Sequence, residues 1–141
     1  MYQQETYLLA YWGLFFILLT LLLQGIIASA VKGAATGAIP GKIDESLGHA
    51  SFIFRSHRTF MNSLENMPAI LGASLLAILV GANSYWTGLL IAIIAFARVV
   101  HMILYYLIAT DKNPSPRSYF FVLGFSATIG LLVLSAMALS R

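Results

Sequence analysis

The sequence contains no cysteine. It therefore has no disulfide framework, no thiolate metal site and no thiol nucleophile of its own, so any thiol chemistry must use a thiol that a ligand brings. Charge is also scarce. Only 9% of the 141 residues are charged, which leaves no room for a separate soluble module. The net charge is +3 and the basic residues are scattered, so nucleic-acid binding has little support.

What is present is apolar. Hydrophobic residues make up 60% of the chain and the mean hydropathy is +0.86, far from the soluble-domain norm. These values predict an all-α integral membrane protein. The length fits one domain, residues 1–141, of four transmembrane helices in an up-down-up-down bundle, with spans at about 7–31, 50–80, 85–109 and 117–139.

The first span is longer than a signal sequence, and Glu5 precedes it with no Lys or Arg, so it reads as a retained span. Thr20 and Gln24 share one of its faces, and Gly25, Ser29 and Gly33 have the small-residue spacing that lets helices approach closely. A Gly-rich loop follows, in which Asp44 or Ser46 is expected to cap the second helix. Pro68 should bend that helix. Asn83-Ser84 forms a turn and cap for the third span, packed through Gly88, Ala92 and Ala95, and Ser115-Pro116 reads as an N-cap followed by proline at the first position of the fourth. Trp12 and Trp86 fit an interfacial belt at the outer face.

Two polar stripes interrupt this apolar plan. At about 100° per residue, Arg55, Arg58, Asn62 and Glu65 fall on one face of the second helix. Arg98, His101 and Tyr105 repeat the three-then-four spacing in the third. A single Arg near a bilayer centre costs roughly 3 kcal/mol while one Leu returns about 0.5, so such groups are kept at the expense of several apolar residues. Arg117 and Ser118 join them in the first turn of the fourth span, where unpaired N–H groups and the helix dipole already favour an anion. The two stripes and Arg117 converge on one depth.

With four spans, one membrane face receives Lys32, Lys42, Arg55, Arg58, Lys112 and Arg117, and the other only Arg141. The basic face should be cytoplasmic, with both termini on the opposite side. The predicted pocket has an excess of positive charge against one Glu65, which suits an anionic guest. Asn62 adds a donor and an acceptor, and Glu65 can accept from an ammonium, so a zwitterionic peptide fits the set. A metal site has no support, because neither His49 nor His57 is spaced to join His101.

At these residues the chain resembles the MAPEG family, the membrane-associated proteins in eicosanoid and glutathione metabolism, and in particular its microsomal glutathione transferases. The resemblance rests on Arg55, Arg58, Asn62, Glu65 and Pro68, then Arg98, His101 and Tyr105, then Arg117-Ser118, and covers the whole four-span layout. It implies a homotrimer that binds glutathione as co-substrate between subunits, open to the cytosol, while a lipophilic electrophile or hydroperoxide arrives from membrane lipid. Carried over, the family's roles give Arg58, Asn62, Glu65, His101 and Tyr105 to glutathione binding, together with Arg55 from the same motif. Arg98 orders the network. Arg117, with Ser118, holds and activates the thiolate.

The chain departs from the family pattern at Phe60, where catalytic relatives often carry His or Gln, and at Lys32, where an Arg commonly closes span one. A longer interval from Tyr105 to Arg117 also makes Lys112 a rival thiolate partner. Three readings stay open: a glutathione-dependent transferase or peroxidase, a non-catalytic lipid-binding or scaffold member of the same family, and a small transporter.

Overall fold

A computed structural model describes residues 6–141; Glu5 lies outside them. Four helices follow one another: α1 (Leu8–Gly33), α2 (Phe52–Leu79), α3 (Ser84–Leu107) and α4 (Pro116–Leu139). No helix end differs by more than two residues from its expected position, because long apolar runs broken by Gly, Pro and Asn leave little choice of boundary. The described residues contain no strand. α2 and α3 pack together at the centre, and each also packs on both α1 and α4, which flank them.

Three of the helices, α1, α3 and α4, are long and apolar enough to cross a membrane. α2 is long enough, but its first half carries Arg55, His57, Arg58, Asn62 and Glu65. A polar face of this kind is kept from lipid by protein or by water.

The α2–α3 turn lies against the start of α1. Gly81 takes φ +67° there, the Tyr7 hydroxyl donates to the Ala82 carbonyl, and Asn83 caps α3 by accepting from the Trp86 N–H at 3.1 Å. Next to this turn α1 and α3 touch closely. A Cβ on Gly13 would stand 2.7 Å from Ile91 Cγ2, and one on Gly88 would stand 3.0 Å from Leu9 Cβ. Trp12 and Trp86 are half exposed at the same end. Of the small residues predicted to bring α1 close to α2, Gly25 does so, lying 3.2 Å under the Phe60 ring measured from an added Cβ, whereas Gly33 has open space around it.

One local expectation needs correction. Asp44 and Ser46 do not cap α2: the Asp44 carboxylate instead accepts from the Ser46 N–H and hydroxyl at 2.9 and 2.7 Å, and Ser51 is the N-cap residue. The loop returns from α1 through Gly37 and Gly41, both at positive φ, and its tight Asp44 turn uses up the capping side chains. Pro68 lies inside α2, as expected. α2 continues through it to Leu79, since a single missing N–H leaves the neighbouring backbone bonds intact.

Candidate functional site

The end of the bundle opposite the α2–α3 turn gathers the polar residues. Ser115 caps α4 with Pro116 at its first position, and Ser115 and Ser118 form a capping box. The Ser115 N–H donates to Ser118 Oγ at 3.2 Å and the two hydroxyls lie 3.0 Å apart. This cap fixes Arg117 in the first helical turn. The Arg117 guanidinium lies over the Tyr105 ring, 3.9 Å from its centroid, a contact in which the ring face attracts the cation. Tyr105 meets the His101 ring edge to face at 5.7 Å.

These residues line a groove of about 280 Å³ between α2, α3 and α4: Arg58, Asn62, His101, Tyr105, Arg117 and Ser118, with Phe121 and Val122. Two guanidiniums face it, and no carboxylate belongs to its lining. Its volume sits just below the roughly 300–1,000 Å³ usual for small-molecule sites.

Arg98 stands behind the groove wall. It is 6% exposed, and its Nη2 donates to Asn62 Oδ1 at 3.0 Å and to Ser63 Oγ at 2.5 Å. Neither ion pair among the described residues involves it. Because guanidinium can only donate, this bond turns the Asn62 oxygen toward Arg98 and leaves its NH₂ as the group free to face a guest. The backbone carbonyl of Asn62 is also occupied, accepting from Asn66 Nδ2 at 2.7 Å.

Besides Arg98, two of the predicted site residues stand outside the groove. Arg55 turns back to the loop before α2, donating to the His49 carbonyl at 2.6 Å, the Ala50 carbonyl at 2.9 Å and, across the bundle, the Tyr106 carbonyl at 3.3 Å. It braces the loop against the end of α3. Glu65 is half exposed and lies 3.8 Å from Arg58, at the outer edge of the groove, where it orients Arg58. Lys112 is exposed in the α3–α4 connection and does not line the groove. Sequence reasoning missed Phe121 and Val122. Their signal was the helical spacing of four from Arg117 and from Ser118, hidden because apolar residues in an apolar helix offer no contrast. The described residues hold no cluster of metal-ligating side chains.

A larger cavity of about 590 Å³ lies between the end of α1 and the loop that follows it. Its two lysines, Lys32 and Lys42, are balanced by Asp44 and Glu45, and none of the stripe residues reaches it. Size alone does not make it the site. The groove has the net positive charge and the converging donors.

Phe60 packs over Gly25 of α1 and is absent from the groove wall. No curated protein sequence matches the chain closely enough to be named as a relative. The family model for the MAPEG family does match, over residues 9–137. That span runs from the first turn of α1 to the last of α4 and takes in every groove residue, so the four-helix chain belongs to the MAPEG family, a membrane protein of glutathione and eicosanoid metabolism.

Proposed function

We propose that the protein is a membrane glutathione transferase or peroxidase that presents the glutathione thiolate to apolar electrophiles or lipid hydroperoxides. The observation that carries this reading is the groove itself: Arg58 and Arg117 from two different helices, the Asn62 amide held donor-outward by Arg98, and no acidic side chain in the lining. Glutathione has two carboxylates for the guanidiniums and one ammonium, which Glu65 beside Arg58 can accept at the rim.

A free thiol has a pKa near 8.5 and is only a few per cent ionised at pH 7. An arginine held about 4–6 Å away lowers such a pKa by 1–3 units. Arg117 suits this role better than Ser118, whose hydroxyl is shared with Ser115 in the helix cap. In transfer, the thiolate sulfur attacks the electrophilic carbon, a C–S bond forms, and the leaving group departs with its electron pair. In peroxide reduction the sulfur attacks the terminal oxygen, the O–O bond breaks, the glutathione sulfur becomes a sulfenic acid, and the alkoxide takes a proton from water and leaves as the lipid alcohol. A second glutathione then displaces water to give the disulfide. Phe121 and Val122 supply the apolar wall along which the co-substrate reaches the sulfur, adding local concentration that a water-soluble site lacks.

The groove opens on one side, which suits closure by a neighbouring subunit in a homotrimer. The concentration of Lys and Arg at this end of the bundle favours a cytoplasmic opening. The non-catalytic reading of the family draws its support from Phe60, and Phe60 faces α1 rather than the groove. The test is a glutathione titration on detergent-purified protein, followed through thiolate absorbance and turnover of a model aryl halide and a hydroperoxide. Saturable binding with a thiolate signal that is lost in Arg117→Ala is expected. Saturating glutathione without thiolate or turnover would exclude the proposal.

A further inference from the structure

His49 lies in the connection between α1 and α2, outside every stripe, yet its ring is built into the wall behind the groove. It meets Phe54 edge to face at 5.0 Å and lies tilted by 36° against Tyr105 at 5.7 Å. Tyr105 in turn is the surface on which Arg117 rests at 3.9 Å. The backbone at His49 is pinned by the 2.6 Å bond from Arg55 to its carbonyl, which keeps the residue beside Tyr105 and leaves only the ring's own torsions free. Its Nδ1 is buried with no hydrogen-bond partner among the described residues, and its Nε2 stands 3.8 Å from Asp111. The ring therefore makes few polar contacts and acts by filling space.

We propose that His49 is a positioning residue for the thiolate chemistry, acting through Tyr105: it wedges the ring so that the Arg117 guanidinium stays at the depth where the glutathione sulfur sits. This rests on the glutathione reading above. The charged groups near His49 are Arg117 on α4, Arg55 and Arg58 on α2, and Asp111 in the α3–α4 connection. Burial first, then Arg117, holds its pKa below the ordinary 6.5 against the opposite pull of Asp111. The wedge is thus neutral at pH 7. Protonation adds a cation beside Arg117 and draws the ring toward exposed Asp111, away from Tyr105.

Three full-length proteins in detergent decide the matter: wild type, His49→Ala and His49→Phe, each measured for glutathione affinity and for thiolate fraction against pH. Losing about half of an arginine's effect raises the thiol pKa by about 0.5–1.5 and lowers the thiolate fraction at pH 7 roughly 2–3-fold, and that loss is expected in His49→Ala with affinity changed less than about twofold. His49→Phe keeps an aromatic wedge and should restore the thiolate. It should also hold the thiolate signal to lower pH than wild type, since it cannot protonate. An unchanged thiolate fraction in His49→Ala, or equal loss in both variants, overturns the proposal. If His49→Ala does not fold, the pH comparison of wild type with His49→Phe decides, and identical acid limbs overturn it. Absence of a thiolate signal in the wild type itself overturns the glutathione reading instead.

Discussion

Replacing Arg98 by Met separates the two roles that a buried arginine can have. Its Nη2 makes two charge-assisted bonds, to Asn62 and to Ser63, worth about 1.5–3 kcal/mol each, or about 3–6 together. Against this stands a cost of roughly 3 kcal/mol for keeping an arginine at membrane depth, with no carboxylate beside it to offset the charge. The net effect of Arg98→Met on stability is therefore small, a loss of about 0–3 kcal/mol. Its effect on binding should be larger in proportion. Without Arg98 the Asn62 amide is free to flip or rotate, and the loss of one oriented hydrogen bond, about 1–1.5 kcal/mol, weakens glutathione binding roughly 5–12-fold. Unfolding in graded denaturing detergent and a glutathione titration on the same preparation measure both quantities. A stability loss above about 5 kcal/mol with unchanged affinity would refute the reasoning, and would make Arg98 a structural strut with no part in recognition.

Gly13→Ala places a Cβ 2.7 Å from Ile91 Cγ2 and 3.3 Å from the Ile91 backbone carbon; a loss of about 1–3 kcal/mol is expected in the same unfolding assay. Gly25→Ala meets only the edge of the Phe60 ring at 3.2 Å, which can swing aside, so its midpoint should move less than that of Gly13→Ala. Tyr7→Phe removes the bond to the Ala82 carbonyl and should cost about 0.5–1.5 kcal/mol without altering glutathione affinity. Because the folded pKa of His49 is depressed below the ordinary 6.5, the unfolded chain binds more protons just below that value. Its contribution to stability is complete above about pH 6.5 and is lost as the pH falls toward the folded pKa. The unfolding midpoint of wild type, relative to His49→Phe, should drop over that window.

The helices were legible because each apolar run ends at a residue with a local physical reason to stop it: Asn83 as a cap and Ser115-Pro116 as a start. The groove was legible because polar residues at helical spacing are conspicuous in an apolar chain, and Arg58, Asn62, His101, Tyr105 and Arg117 line one groove. Periodicity places a Cβ on a face, however, and does not say where a long side chain ends. Arg55 has the right face but sits in the first turn of α2, where the nearest acceptors are loop carbonyls. Glu65 likewise shares the stripe and meets Arg58 at the surface. His49 was invisible as part of the site because its position depends on how an irregular loop returns to the bundle, and no spacing rule covers that. Asp44 was misread because a short acidic side chain serves a tight turn as readily as a helix end.

At one extremity of the bundle Tyr7 reaches Ala82, and Gly13 of α1 and Gly88 of α3 let their neighbours in. The groove lies at the other. Substitutions at Tyr7, Gly13 or Gly88 therefore act on a joint remote from the groove, so they should move the unfolding midpoint while leaving the groove's lining residues where they are.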